Sequence, residues 1–283
     1  MKVKIIGGLG NQMFQYASAY ALAKMNNDAL IADISDAIKY KTHPLRLTEL
    51  ACSARFEKKS FSFERYLYSN NIPIIIKKLI FPYCLIENGL EYDPTLSMKC
   101  KNKKLIGYFQ CEKYFSAYRK ELIQQFKPKA EFSDYQKEII DLMGYGDSCS
   151  VHIRRGDYIT NPEANALHGV CNKNYFDRAL KYLKDNGKIN DQSKIFLFSD
   201  DVEWCKENIE FSNEIIFIKG ESLKVELDLW LMSKCKHNVI SNSSFSWWAA
   251  WLNEHDEKCV VSPQMWFKSK QRNNIVPETW IQL

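Results

Sequence analysis

The sequence lacks long apolar runs. Across its 283 residues, no apolar stretch approaches the roughly 18 residues that a membrane-spanning helix needs. The opening segment, MKVKII, is too short for the apolar region of a signal peptide and leads directly into a glycine pair. We therefore expect the chain to start as a strand of a cytoplasmic protein that makes at most peripheral contact with the inner face of the membrane.

Paired cysteine motifs are also missing. The nine cysteines are odd in number, and no two of them have CxxC spacing. Zinc ribbons need such pairs, and disulfide scaffolds use an even, closely spaced set. The sequence therefore predicts reduced thiols rather than zinc ligands or disulfides.

A strong excess of one charge is absent as well. The 39 basic and 34 acidic residues leave a formal net charge of +5. Local basic clusters lie at 101–104 and 268–272, each interrupted by polar residues, and no nucleic-acid motif accompanies them. Binding to DNA or RNA is not expected, and the clusters are either solvated surface or a weak hold on anionic lipid.

Residues 151–157 are the most informative segment that is present. They read VHIRRGD, a β-branched strand followed by two arginines, a glycine and a carboxylate. Arginine suits bidentate phosphate recognition, and open α/β sheets bind ligands at the carboxyl ends of their strands. The plain alternative is a surface ion pair between Arg155 and Asp157, which would contribute little to stability.

A second segment, 237–252, reads HNVISNSSFSWWAAWL, a short strand followed by polar residues and an aromatic helix. Ser243 and Ser244 at the helix start either cap the helix or help its free N–H groups to hold a phosphate. Trp247 and Trp251 share one helix face, which favours core packing over a sugar platform. Together, the two segments predict a pyrophosphate site made of arginines and a helix N-terminus.

The chain resembles the bacterial α-1,2-fucosyltransferase family of glycosyltransferases nearly from end to end. The stretches that carry the resemblance are GGLGNQMFQY at 7–16, GYFQ at 107–110, HIRRGD at 152–157 and SNSSFSWW at 241–248. The resemblance implies an α/β fold of the GT-B type, with two Rossmann-like domains facing across a cleft. It implies inverting transfer of L-fucose from GDP-fucose to the 2-hydroxyl of a terminal β-galactosyl residue, on an oligosaccharide or a lipid-linked glycan, with no cofactor or metal.

The second half alternates between strand and helix patterns, which indicates parallel βαβ units. Strands are predicted at 150–153, 195–198, 215–218, 238–240 and 259–261, and helices at 175–185, from 202, at 223–234 and from 244. Both phosphate-binding segments should therefore leave the same edge of one sheet.

The first half is less regular. A strand at 3–6, a helix at 11–25 and a strand at 29–33 are predicted before a variable, mostly helical region at 35–104. A helical stretch over 118–143 should break at Pro128, and the turn at 144–147 should separate two domains. We predict an acceptor-side domain at 1–145 and a GDP-fucose-binding domain at 146–283.

Arg154 is the predicted catalytic residue, because negative charge develops on the leaving phosphate as the fucosyl bond breaks. Arg155 follows the strand pleat to the other side, where it would tie the loop to Asp157 or reach the diphosphate from another angle. His152 lies near the guanine and ribose by resemblance, and its alternative is a buried, hydrogen-bonded strand histidine.

Asp200 and Asp201 end a predicted strand and form the other candidate donor contact. One carboxylate could accept the guanine N–H groups, while the other caps the next helix. A divalent metal is the rival ligand, but no third metal ligand is apparent, and the arginines already supply positive charge for the phosphates.

Inverting transfer also needs a group that accepts the proton of the acceptor hydroxyl. Asp157, Glu163 and His168 are the candidates. Sequence alone does not choose among them, because Asp157 is equally suited to a structural pair with Arg155.

The glycine loop at 7–10 suggests a rival enzyme class. Two of the three glycines of a dinucleotide fingerprint are present, with Met13 in place of the third, and Asp33 lies where a ribose carboxylate would. A NAD-dependent oxidoreductase is thus the weaker alternative, beside a transferase for another nucleotide sugar and a non-catalytic sugar-binding protein. In the favoured interpretation, Asn11 and Gln12 contact the fucose or the acceptor.

Overall fold

The computed structural model describes two compact units. Its described residues are 1–40, 43–59, 64, 66–67, 72–156, 159, 162, 165–166, 169–220, 224–268 and 272–283. The first unit comprises Met1–Lys127 with Arg272–Pro277, and the second comprises Pro128–Gln271 with Glu278–Leu283. This division falls earlier than the predicted boundary at 145, because the helix that precedes the turn at 144–147 is part of the second unit.

The first unit contains a parallel five-stranded sheet. Its strands are β1 (Lys2–Lys4), β2 (Ile31–Asp33), β3 (Arg55–Glu57), β4 (Cys84–Ile86) and β5 (Lys104–Ile106), arranged in the order β3-β2-β1-β5-β4. The strand order reverses between β1 and β5. The glycine loop and the GYFQ segment leave the sheet at the carboxyl ends of these two strands.

The predicted first strand and helix are confirmed, with the helix starting slightly earlier. Helix α1 spans Leu9–Met25 and is buried over nearly its whole length, because alanines and aromatic residues occupy most of its surface. The helices that follow are α2 (Ile74–Ile80), α3 (Leu96–Lys99) and α4 (Arg119–Gln125). A break at Pro128 is also confirmed, since α5 (Asp134–Gly144) begins afresh with Ser133 and Gln136 forming a capping box.

The prediction of a mostly helical region at 35–104 was wrong. Strands β3 and β4 lie within it, and β5 begins at its end. Each has only three residues, too few for an alternating pattern to stand out from the charged and aromatic residues around it.

A buried charge cluster crosses the first sheet. Lys4 and Lys104 both pair with Asp33, whose side chain is fully buried, and Lys104 also pairs with Glu64. Lys4 reaches Asp36 at 2.8 Å as well. Two buried ammonium groups are tolerated here because carboxylates neutralise both of them.

The second unit contains a parallel six-stranded sheet. Its strands are β6 (Ser148–Ile153), β7 (Lys194–Ser199), β8 (Ile215–Phe217), β9 (His237–Val239), β10 (Val260–Ser262) and β11 (Ile281–Gln282). The order β11-β10-β9-β6-β7-β8 is that of a doubly wound nucleotide-binding sheet, which reverses between β6 and β9. Five of these strands were predicted, and β11 was not.

The helices of this unit also agree with the predicted alternation. After α5, which opens the unit, they are α6 (Lys173–Asp185), α7 (Val202–Asn208), α8 (Val225–Met232) and α9 (Ser244–Leu252). On β6, Val151 and Ile153 enter an apolar core with Phe176 of α6. Ser150 accepts a hydrogen bond from Asn238 of β9 at 2.7 Å, so hydrogen-bonded polar groups lie among the sheet's buried residues.

All nine cysteines are free thiols, as predicted. Within the described residues, no helix combines the length and the apolar character that crossing a bilayer requires.

Candidate active site

The HIRRGD and SNSSFSWW segments begin at the reversal point of the second sheet. Val151 of β6 lies beside Val239 of β9, so the chain leaves two adjacent parallel strands at the same edge. Arg154 follows the first strand, and Ser241 to Ser243 follow the second before α9 begins. This crevice is where doubly wound sheets bind their ligands.

Arg154 forms an ion pair with Asp200, which follows β7. Its Nη1 lies 2.7 Å from Asp200 Oδ2, and both side chains are about one-quarter exposed. The backbone N–H of Arg155 donates to the other carboxylate oxygen at 2.9 Å. Gly156 packs so closely that a Cβ there would lie 2.4 Å from Asp200 Oδ2. Asp200 therefore contacts three successive residues, Arg154 to Gly156.

Arg155 has a different set of partners. Its Nε donates to Asp201 at 3.1 Å, and its guanidinium lies 3.4 Å from the centre of the Trp204 ring. Arg155, Trp204 and Ile153 line a cavity of about 410 Å³. The adjacent arginines thus separate, as strand alternation predicts, and Arg155 is the one held by cation–π stacking.

Asp201 also has a structural role. Its Oδ1 accepts the N–H of Trp204 at 3.3 Å, so it is the N-cap of α7. Among the residues that the structure describes, no three His, Cys, Asp or Glu side chains are grouped as a metal site would need. Asp200 and Asp201 are both engaged by arginines.

His152 is buried and neutral. Its Nδ1 lies 3.1 Å from Ser241 Oγ, and its ring lies 5.7 Å from that of Phe245. Burial lowers the pKa of His152 from 6.5 to about 4, and the charge of Arg154 acts in the same direction against that of Asp200. The imidazole therefore contributes hydrogen bonds rather than charge at neutral pH.

The N-terminus of α9 faces the same strand ends. Ser243 is the N-cap and accepts the N–H of Phe245 at 3.3 Å, while Ser244 is partly exposed at the first helical position. Trp247 and Trp248 are fully buried, in agreement with core packing. The helix start thus offers free N–H groups and a positive dipole end close to Arg154's strand.

The glycine loop of the first unit is stabilised by hydrogen bonds to the buried side chain of Gln12. Gly7 has a φ of +77°, which favours glycine. Gln12 is fully buried, donating to Gly7 O at 2.7 Å and Pro44 O at 3.2 Å and accepting the N–H groups of Arg46 and Leu47 at 3.0 Å. These four bonds use the full capacity of the amide, so Gln12 shapes the loop and has no polar group left for the predicted sugar contact.

Asn11 differs from its neighbour, because it is only partly buried. Its Oδ1 accepts a hydrogen bond of 2.8 Å from Gln110 Nε2 in the GYFQ segment. Asn11 lies in the first turn of α1, after β1, and Gln110 follows β5, the neighbour of β1 at the reversal point of the sheet. Asn11 therefore keeps an accessible position suited to a ligand.

Glu87 is a residue that the sequence did not reveal. It accepts the backbone N–H groups of Tyr108 and Phe109 at 2.7 and 2.9 Å, and a Cβ on Gly107 would lie only 2.3 Å from its own Cβ. Burial raises the pKa of Glu87 to about 7, although both N–H bonds act to lower it. The carboxyl group holds the GYFQ turn, in which Phe109 adopts a φ of +52°.

The three candidates for the proton acceptor, Asp157, Glu163 and His168, lie outside the described residues. Asp33, the ribose ligand of the dinucleotide alternative, is committed to the buried lysines.

Comparison with known proteins agrees with this architecture. Glycosyl transferase family 11 matches residues 1–283. The chain is 37% identical to an α-1,2-colitosyltransferase of Escherichia coli, over 99% of this chain and 97% of that protein. It is 26% identical to the galactoside 2-α-L-fucosyltransferase SEC1 of Bos taurus, over 87% of this chain and 62% of that protein. A mutant of Arabidopsis thaliana FUT1 in complex with GDP has a similar fold, with a TM-score of 0.51 at 11% identity over 91% of this chain and 69% of that one.

The two doubly wound sheets and the likeness to FUT1 define a fold of the GT-B type, so the predicted fold class is confirmed. The chain belongs to glycosyl transferase family 11, and the galactoside α-1,2-fucosyltransferase family predicted from its motifs is confirmed with it. The oxidoreductase alternative is thereby excluded.

Proposed function

We propose that the protein transfers L-fucose from GDP-fucose to the 2-hydroxyl of a terminal β-galactosyl residue, with inversion at the anomeric carbon. The observation that carries this proposal is the position of the Arg154 guanidinium, at the carboxyl end of β6 and beside the strand that leads into α9. A cation and a helix start at one sheet edge suit a diphosphate leaving group.

Arg154 is proposed to stabilise the β-phosphate as the glycosidic bond breaks. The Asp200 carboxylate orients its guanidinium before the donor arrives, which reduces the reorganisation needed in the transition state. Ser243, the N-cap of α9, and Ser244, its first residue, are proposed to place the helix N-terminus beside the diphosphate. Arg155 supports the loop through its stack on Trp204, and its ion pair with Asp201 leaves it a secondary role in donor binding.

The guanine and ribose are proposed to lie near His152. The Nδ1 of this neutral imidazole is used by Ser241, so Nε2 is the ring atom available to a nucleoside. Asp200 and Asp201 each keep acceptor capacity beside their arginine bonds, and one of them would accept the guanine N–H groups.

We propose that the reaction requires no metal ion. The charge that a divalent cation would neutralise is met by Arg154 and the α9 dipole, and Asp200 and Asp201 are already engaged by arginines. Activity that persists in EDTA would agree, whereas a strict need for Mn²⁺ or Mg²⁺ would contradict this part of the mechanism.

The acceptor side is assigned to the first unit, with Asn11 as a sugar contact. The acceptor is a galactose-terminated oligosaccharide or a lipid-linked glycan. The proton of its 2-hydroxyl passes to a carboxylate or imidazole, for which Asp157, Glu163 and His168 remain the candidates.

A colitosyl donor is the second candidate. Colitose is L-fucose without its 3-hydroxyl group. The Escherichia coli relative at 37% identity is named an α-1,2-colitosyltransferase. GDP would be the shared leaving group, so the two functions differ only in the contacts to one sugar hydroxyl.

Thermal unfolding with GDP, UDP and CMP is the first test, since a ligand at a hundred times its Kd stabilises by about 2.7 kcal/mol. Only GDP should raise the Tm. GDP release from GDP-fucose and from GDP-colitose, each with a β-galactoside, then identifies the donor sugar. Stabilisation by UDP instead of GDP would reject the proposal, and GDP binding without transfer to any galactoside would indicate a sugar-binding protein.

A further inference from the structure

Helix α2 carries its apolar side chains on the outside of the first unit. Ile75 and Leu79 are 78% and 81% exposed, and Ile76 and Ile80 are 46% and 53% exposed. No residue of this helix is buried. Four exposed aliphatic side chains on one short helix form a continuous patch, unlike the scattered apolar residues of an ordinary surface.

The lysines of α2 border this patch. At about 100° per residue, the four aliphatic side chains occupy an arc of about 140° around the helix axis. Lys77 and Lys78 then lie about 60° beyond its two sides, and neither forms an ion pair within the described part of the chain. The helix therefore presents an aliphatic strip between two ammonium groups.

The helix is firmly attached to the unit behind it. Phe81, the next residue, is buried against Cys84 and Ile106, and its N–H donates to Lys77 O at 2.9 Å. The exposed Tyr83 and the ammonium group of Lys103, which donates to Pro82 O, add an amphipathic ring and a further positive charge beside it. Residues 72–86 contain no acidic side chain.

We propose that α2 is a docking surface for an anionic lipid bilayer, with its aliphatic strip in the interfacial layer and its lysines among the headgroups. A helix that is apolar on one arc, cationic at the borders and locally free of acidic residues has the properties of an interfacial anchor. A second copy of the chain fits less well, because a two-fold axis at the middle of α2 would bring the lysines of both helices together.

This inference stands apart from the donor and acceptor assigned above. It depends on surface residues of the first unit alone, and those residues take no part in the proposed chemistry. If the acceptor is a lipid-linked glycan, the same surface would hold the enzyme at the bilayer that carries it.

The test is flotation of the full chain with vesicles. Vesicles of phosphatidylglycerol and phosphatidylcholine should carry the protein to the top of a density gradient at low salt, and pure phosphatidylcholine should carry far less. Replacing two lysines in K77Q/K78Q should weaken binding by about thirtyfold, since each lysine near an anionic surface contributes about 1 kcal/mol. I75S/L79S should reduce it at least as strongly.

Two control variants remove the same kinds of exposed side chain at positions outside α2. K58Q/K59Q removes two adjacent exposed lysines that follow β3, at the opposite edge of the same sheet from β4. I38S/M265S removes two other exposed apolar side chains. Both controls should bind vesicles like the parent, and all four variants should keep the parent's Tm and its activity on a soluble galactoside.

Two results would overturn the proposal. One is failure of the parent protein to float with anionic vesicles at low salt. The other is concentration-dependent self-association in analytical ultracentrifugation without lipid that I75S/L79S abolishes, which would make α2 an interface between copies of the chain.

Discussion

Asp200 holds Arg154 and the loop around it with a single carboxylate. One oxygen accepts the guanidinium at 2.7 Å, and the other accepts the backbone N–H of Arg155 at 2.9 Å. The pair is partly solvated, so its direct contribution to stability is small. We propose that the pair orients Arg154. A guanidinium fixed before the donor binds can stabilise the negative charge that develops on the phosphate without further reorganisation.

Arg154→Ala should lower kcat by roughly a hundredfold to a thousandfold while leaving the Tm close to that of the parent, because it removes a donor aimed at the leaving group. Arg154→Lys should also be poor, since a point charge does not reproduce the guanidinium fork. Steady-state release of GDP measures both variants. Near-native turnover by Arg154→Lys would reject bidentate recognition.

The neighbouring arginine provides the matched comparison. Arg155→Ala removes the stack on Trp204 and the bond to Asp201, so it should affect stability more and turnover less than Arg154→Ala does.

Gly156→Ala should destabilise the protein by about 1–3 kcal/mol, because the new Cβ would lie 2.4 Å from Asp200 Oδ2. If the clash with Asp200 is the cause, the double variant Gly156→Ala with Asp200→Ala should be less destabilised than the sum of the single variants. Urea unfolding of all four proteins measures this coupling. If the losses in the free energy of unfolding are additive, the contact between the new Cβ and Asp200 is not the cause of the destabilisation.

His152 should make the protein sensitive to acid. Its pKa is about 4 in the folded state against 6.5 ordinarily, so the unfolded chain binds more protons between these values. The stability that depends on a neutral His152 is present above about pH 6.5 and is lost as the pH falls toward 4.

Unfolding free energies of the parent and His152→Asn across pH 4 to 7 measure this effect. The variant should lose less stability on acidification than the parent does. Burial also lowers the pKa of His237 to about 4, so part of the acid sensitivity should persist in His152→Asn.

Asn11 and Gln12 are adjacent but should respond in opposite ways. Asn11→Ala should impair transfer while retaining GDP binding and the parent's Tm, because Asn11 is accessible and makes few internal bonds. Gln12→Ala should lower the free energy of unfolding by about 2–4 kcal/mol, since it leaves buried backbone groups without partners. Thermal unfolding with and without GDP, combined with transfer assays, separates the two. Loss of GDP binding in a folded Asn11→Ala variant would contradict its assignment to the sugar.

Sequence patterns predicted the second unit well because its apolar strand segments alternate regularly with helical patterns, and its motifs directly follow strand ends. Parallel topology alone therefore predicts that Arg154 and Ser243 lie at the same edge of the sheet. The Trp204 stack and the bond between His152 and Ser241 depend on side-chain placement between separate elements, which no local pattern contains.

The first unit shows what local patterns miss. Glu87 supports the GYFQ segment from a position 21 residues earlier, directly after a strand that is too short to produce a period. The N-cap predicted for one of Asp200 and Asp201 is confirmed in Asp201. The ion pairs of these two carboxylates with Arg154 and Arg155 depend on side-chain placement between separate loops, which no local pattern contains.

The return of the chain from the second unit to the first has a consequence for biosynthesis. Residues 272–277, including the fully buried Ile275, complete the first unit, and β11 then closes one edge of the second sheet. Neither unit can therefore reach its final packing on the ribosome until residues 272–283 have been synthesised. If the gene is divided after Lys127, the fragment 1–127 lacks residues 272–277, which stay on the second fragment. Fragment 1–127 expressed alone should therefore fold poorly, and it should gain stability when it is co-expressed with the fragment that carries 272–277.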